Sequence, residues 1–208
     1  MILATHLIWT TYGTWLPGDP RGHWSPLFDF YGHLRAAGHR FNPSDEVTEI
    51  RASHLMKEAP KFLSPEEKEI AADVIGKVLG GKSVGNFSPG KPGAISIAHA
   101  VAIENSHVHL LIGRLTEPLD PTVGRIKGVS SSLILKLPRQ TEHRRTWTAS
   151  FWHTHLYRTA TVAEVQAYIT EHNLRRGLPA HPFAWLKPYP STAANRSPHV
   201  PRLASQTE

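Results

Sequence analysis

The chain has 208 residues, with 40% apolar and 19% charged side chains, and it contains no cysteine. This is an ordinary globular balance, long enough for one sizeable core, and it excludes disulfide scaffolds, thiolate zinc sites and cysteine nucleophiles. The net charge of +6 is unevenly spread. Residues 1–120 carry 11 basic and 13 acidic side chains, whereas residues 121–208 carry 12 and 4, a net +8. A one-sided basic surface is the footprint expected of a polyanion-binding protein. No apolar run reaches the length of a membrane span, and the first residues lack the basic region of a signal peptide. A cytoplasmic, nucleoid-associated protein with no membrane partner is therefore expected.

Leu3–Thr11 is rich in β-branched and aromatic residues and predicts a strand. Residues 13–60 follow as a long insertion rich in Gly, Pro, His and Asp, with a short helix expected near Val47–Met56. Ser64-Pro65-Glu66-Glu67 reads as a helix start, and the helix should run to Leu79 and stop at Gly80-Gly81. Ile95–Ile103 alternates, with Ile95, Ile97, His99, Val101 and Ile103 on one phase. His107–Ile112 follows after a short turn, so the two should pair as a hairpin. Asp120-Pro121 opens a second helix reaching about Leu137. Trp147–Arg158 reads as an extended segment, and Thr161 as the cap of a third helix, Val162–Arg176. The Pro- and Ser-rich end, residues 181–208, is expected to be a loosely structured tail on a single domain spanning 1–180. Strand, helix, hairpin, helix, strand, helix predicts an α+β fold, an antiparallel sheet with helices packed on one face.

The sharpest local feature is His107-Val108-His109. In a strand, residues two apart share a face, so the two imidazoles lie about 6–7 Å apart while Val108 and Leu110 point into the core. Such a pair can converge on one metal ion. Tyr168 and His172 are four residues apart and share a helical face. That face would present a phenol beside a third ligand, although a packed tyrosine and a surface histidine would satisfy the same spacing.

These residues carry a resemblance. His107-Val108-His109-Leu110-Leu111, the Lys- and Ser-bearing helix after it, Phe151-Trp152 and Tyr168-Ile169 together resemble the single-tyrosine transposases with a His-hydrophobic-His motif. The likeness is greatest to the insertion-sequence and REP-associated types. Thr10–Gly22 also resembles a motif of that group. The resemblance implies a ferredoxin-like fold and a homodimer. It implies His107 and His109 as ligands of a divalent ion, Mg²⁺ or Mn²⁺, with Tyr168 as the nucleophile. The family's usual Gln or Asn four residues after the tyrosine is His172 here, with Asn173 beside it, so either is a candidate third ligand.

The reaction implied is cleavage and rejoining of single-stranded DNA at hairpin-flanked, palindromic sites through a 5′-phosphotyrosine. Stored bond energy would make ATP unnecessary, in keeping with a sequence that has no P-loop motif. Lys127, Ser131, Lys136, Arg144, Arg145, Arg158, Arg175 and Arg176 are candidate DNA contacts in the basic half. Trp24, Trp147 and Trp152 are candidates for stacking on unpaired bases. A non-catalytic hairpin-binding protein on the same fold, and a metal phosphoesterase using activated water, are the competing readings.

Overall fold

The computed structural model describes residues 1–19, 45–88, 93–138 and 144–190. Strand β1 spans Ala4–Thr10. Helix α1 (Glu46–His54) and helix α2 (Pro65–Leu79) precede a hairpin of β2 (Ala98–Ile103) and β3 (His107–Ile112). Helix α3 (Leu119–Ile134), strand β4 (Trp152–Leu156) and helix α4 (Thr159–Arg175) complete the order. The four strands form one antiparallel sheet ordered β2-β3-β1-β4. With βαββαβ connectivity this is the ferredoxin-like arrangement.

Helix α2 begins as its sequence dictates. Ser64 Oγ accepts from Glu67 N while Glu67 carboxylate accepts from Ser64 N, closing a capping box with Pro65 in the first turn. The same buried carboxylate binds Lys61 Nζ at 2.5 Å. Gly81, at φ 64°, turns the chain after the helix in the left-handed region that a Cβ disfavours. Helix α4 starts earlier than a Thr161 cap predicts. The chain leaves β4 and enters the helix at Arg158, whose carbonyl accepts from Val162 N at 3.1 Å.

Apolar side chains divide between two faces of the sheet. Leu7, Trp9, Val101, Ile103, Val108, Leu110 and Ile112 face α2 and α3, which contribute Val74, Ile75, Val78, Val123 and Ile126. The opposite face carries Ala4, Ala100, Ala102, Leu111 and Leu156 beneath Val162 and Ile169 of α4. The expected one-sided packing therefore holds for α2 and α3, while α4 covers the other face. Period-2 alternation alone cannot assign a helix to a face, because β1 and β3 place buried residues on both.

The phase predicted for Ile95–Ile103 breaks at a bulge. Ala98 pairs with Ile112 but Ala100 pairs with Leu111, so one extra residue is absorbed around His99. His99 leaves the Val101 phase, and its Nδ1 lies 2.8 Å from Lys187 O. The extended segment expected from Trp147 reduces to β4 plus a single bridge between Thr11 and Trp147.

Two expectations meet the edges of the described residues. The described ends of the 13–60 insertion are anchored: Asp45 N donates to Gly18 O, Lys57 N to Tyr12 Oη and Lys61 N to Tyr12 O. Gly18, at φ 90°, passes so close to Asp45 and Glu49 backbone that a Cβ would collide with both. Trp24 and the core of the insertion lie outside the described residues. Of the loose tail expected from 181, residues 181–190 are instead docked, and the remainder lies outside the described residues. Leu186 is buried, Trp185 lies over Gly76, and Lys187 N donates to Ala98 O.

Candidate active site

Register builds the site. His107 opposes Thr10 and His109 opposes Ile8, so all four residues lie on the sheet face that α4 covers. Val108 between them goes to the other core, as the alternation requires. Helix α4 is held on this face by Val162 and Ile169, and Ala100 and Ala102 below them are small enough to let it approach. That seating turns Tyr168 and His172 over the histidine pair.

Potential ligand atoms of His107, His109 and His172 all lie within 4.8 Å of one another. Ring centroids are 4.8 Å apart for His107 and His109, 4.9 Å for His109 and His172, and 6.2 Å for His107 and His172. The Tyr168 ring stands edge-on to His109 at 5.4 Å and to His172 at 4.8 Å. Tyr168 and all three histidines belong to one chain, so this geometry needs no helix from a second copy. Asn173 is turned elsewhere. It is buried, and its Nδ2 donates to Val101 O at 2.9 Å and Ala180 O at 3.2 Å.

Each imidazole is oriented through Nδ1. His107 Nδ1 meets Ser106 Oγ at 3.0 Å, His109 Nδ1 meets His6 Nε2 at 3.2 Å, and His172 Nδ1 meets Glu104 Oε1 at 3.3 Å. Such outer partners fix the tautomer and aim of a metal-binding histidine. His172 Nε2 is buried with no hydrogen-bond partner among the described residues. A buried nitrogen without a partner is costly, and a metal ion is one group that would satisfy it. The donor set therefore fits a divalent ion of the kind that imidazole ligands favour.

His6 and Glu104 are the residues that sequence reasoning misses. His6 stacks on His109 at 5.4 Å and 21°. It shares the alternating phase of Ile8 and Thr10, a signal visible in Leu3–Thr11, but only the β1–β3 pairing brings it to His109. Glu104 sits in the hairpin turn and also faces Arg176, whose Nε is 3.6 Å from Oε2.

Electrostatics at the site run against protonation. Burial, then repulsion from His172, lowers His6 to about 4. Burial, then its three histidine neighbours, lowers His109 to about 2. Both are neutral at pH 7, the form that binds metal. Burial also raises Tyr168 above its ordinary value; Arg175 opposes that shift while Glu104 and Glu171 add to it. A phenol in this state needs a nearby cation or base before it attacks.

The lowered histidines predict acid lability. Both folded values lie below the unfolded 6.5, so the unfolded chain binds the extra protons. The stability they contribute is complete above pH 6.5 and is lost as pH falls toward 4, by up to about 1.4 kcal/mol per pH unit for each group. Urea midpoints of the metal-free protein should drop between about pH 7.5 and pH 5, and His6→Leu should make that drop shallower. A pH-independent midpoint would contradict the placement.

The basic candidates do not gather at one place. Lys127 is only 8% exposed. It donates to Ala149 O and Ser150 O at 2.9 Å each, and burial pushes its ammonium down to about 8. Ser131 is half-buried on α3, and Lys136 is exposed just after it. Arg144 and Arg145 are exposed, their backbone N–H groups donating to Glu58, with Arg145 over the Tyr12 ring. Arg158 is exposed at the start of α4. Arg175 pairs with Glu171 at 2.6 Å, and Arg176 with Glu104. Trp147 is buried and donates to Ser130 Oγ, whereas Trp152 stands edge-on to His6 at 5.7 Å.

Residues 94–172 match the family described as Transposase IS200 like. The matched stretch contains His107, His109, Tyr168 and His172, and it ends on the last of them. No curated protein matches the chain. Among solved structures, a chain provisionally described as a transposase from Deinococcus radiodurans R1 is similar at 19% identity. That similarity covers 83% of this chain and 92% of the other, with a TM-score of 0.36. A REP-associated tyrosine transposase bound to a REP hairpin is similar at 11% identity, over 84% of this chain and 68% of the other, with a TM-score of 0.37. Among the described residues, no helix is long and apolar enough to cross a membrane.

Proposed function

We propose that this protein is a divalent-metal-dependent transposase of the IS200-like type. It cleaves and rejoins single-stranded DNA at hairpin-flanked sites with Tyr168 as its nucleophile. The observation that carries this reading is the convergence of Tyr168 with His107, His109 and His172 in one chain, inside the stretch that matches the family. The hairpin-flanked target follows from the family resemblance.

In the reaction, Tyr168 Oη loses its proton and bonds to phosphorus. The bond from phosphorus to the 3′ oxygen breaks, and that oxygen takes up a proton. The products are a 5′-phosphotyrosine and a free 3′-hydroxyl, and attack by a 3′-hydroxyl reverses the step. His107, His109 and His172 would hold a divalent ion, for which the family resemblance points to Mg²⁺ or Mn²⁺, and it would supply positive charge against the phosphate oxygens and the developing phenolate. Glu104, His6 and Ser106 keep the imidazoles aimed. Helix α4 holds Tyr168 at the rim, 47% exposed, where a strand can reach it. Incubation of labelled hairpin-flanked single strands with Mn²⁺, read on a denaturing gel, tests the reading. A covalent protein–DNA band is expected, and cleavage without any adduct would point to activated water instead.

Strand binding is assigned to the exposed cations Lys136, Arg144, Arg145 and Arg158. Each phosphate neutralised on a single strand contributes about −0.7 to the slope of log K against log salt, so four contacts give roughly −3. Replacing Arg144 and Arg145 together by Ala should make the slope shallower by roughly 1.4, for two lost contacts. The buried Lys127 is expected to leave the slope unchanged in Lys127→Met. Affinity indifferent to salt would remove the basic surface from the binding account.

A further inference from the structure

The Thr10–Gly22 motif has no part in the chemistry above, yet its described residues help build a cavity near the histidines. Residues 11–17 leave β1 and fold back over its end. There Trp15, Leu16 and Pro17 enclose a pocket of about 170 Å³ with Phe151 and Trp152. Ile8 and Thr10 line its inner side, and these are the β1 residues that oppose His109 and His107. The pocket therefore begins one strand, about 4.8 Å, from the metal-ligand candidates. Trp152 is shared between the two places, lining the pocket and standing against His6.

The lining has the chemistry of a base site. Three aromatic side chains offer flat, apolar walls. Thr148 supplies a polar rim, with Oγ1 donating to Thr10 O at 3.1 Å. Trp9 also lines the pocket. Its side chain belongs to the core on the opposite sheet face, 2% exposed and edge-on to Trp147.

We infer that the pocket between Trp15, Phe151 and Trp152 receives one unpaired base of the DNA strand, next to the phosphate cleaved at Tyr168. The assignment rests on the strand-cleavage reading for its ligand. Trp15, Leu16 and Pro17 then hold the nucleotide beside the cut. Stacking on aromatic rings is the sequence-tolerant part of single-strand binding.

The test uses the full chain carrying Tyr168→Phe, so that no adduct forms, and hairpins with single-stranded arms. 5-Iododeoxyuridine is placed at each arm position in turn, and photo-cross-linked peptides are mapped by mass spectrometry. Cross-linking at one arm position to Trp15, Phe151 or Trp152 is expected. Removing the base at that position should weaken binding about tenfold, the size of one lost base–aromatic stack. Trp15→Ala should weaken binding of the intact strand similarly, and the abasic strand should then lose little more. This non-additivity separates base contact from a general loss of structure. Wild-type cleavage with cross-links confined to other residues, and a full abasic effect retained in Trp15→Ala, would overturn the pocket alone. A cross-link at these residues in a chain whose Tyr168 form never cleaves would uphold the pocket and remove the cleavage reading.

Discussion

Tyr168→Phe is expected to abolish the covalent protein–DNA adduct and to lower strand cleavage by roughly 10⁴-fold or more, the scale on which enzymes lose activity when their nucleophile is removed. The substitution deletes one hydroxyl from a ring that is half exposed, and no described hydrogen bond of the fold depends on that oxygen. Thermal stability and hairpin affinity should stay close to wild type. The contrast is the informative part. If Tyr168 were a packing residue, the Phe variant would keep full activity. Tyr157 competes from the end of β4, where it is 60% exposed, and Tyr12 from the loop, where its Oη already accepts from Lys57 N. Among the described residues, neither ring meets the histidine cluster. Mass spectrometry of the trapped adduct locates the modified tyrosine directly, and an adduct on either competitor would overturn the assignment.

How far these features are legible in the sequence depends on the range of the interaction behind them. Helix α2 is, because Ser64, Pro65 and Glu67 act within its first turn and Gly81 acts on the turn that ends it. So is the hairpin, and so is the shared face of His107 and His109, which follows from strand period alone. The pairing of Tyr168 with His172 is equally local. Their arrival over His107 and His109 is not, because it depends on which face of the sheet α4 chooses. That choice is made by Ala100, Ala102, Leu111 and Leu156 packing against Val162 and Ile169, and for β2 these are contacts between distant parts of the chain. The same limit hides His6, whose partner lies 103 residues away, and Glu104, 68 residues from His172. The bulge at His99 is hidden for a different reason. Alternation continues through it on paper, and only the mismatch with β3 requires the extra residue. Lys127 shows the converse error of a charge count. A lysine contributes to the net positive charge wherever it sits, but this one is spent on Ala149 and Ser150 carbonyls.

Metal affinity should separate the three histidines from their orienting partners. His107→Ala and His109→Ala each remove a ligand candidate from the strand pair, and both are expected to abolish measurable Mn²⁺ binding in calorimetry and cleavage with it. Hairpin binding should persist, because the cations assigned to it lie just after α3, in the 144–145 segment and at the start of α4. His172→Ala should weaken Mn²⁺ binding yet leave some cleavage recoverable at high Mn²⁺, since two imidazoles remain. Glu104→Gln is the finer probe. It keeps the shape and one acceptor oxygen for His172 Nδ1 but removes the negative charge, and loss of such an outer partner typically costs about 10–100-fold in metal affinity. The metal-free protein should be little affected by that change. Mn²⁺ should then raise the unfolding midpoint of the wild type by an amount that grows with concentration as RT ln(1 + [Mn²⁺]/Kd), with the Glu104→Gln curve displaced to higher Mn²⁺. Equal Mn²⁺ stabilisation in wild type and in the His107→Ala, His109→Ala double variant would mean that the ion binds elsewhere. Full cleavage by that double variant would end the case for metal-dependent chemistry at this site.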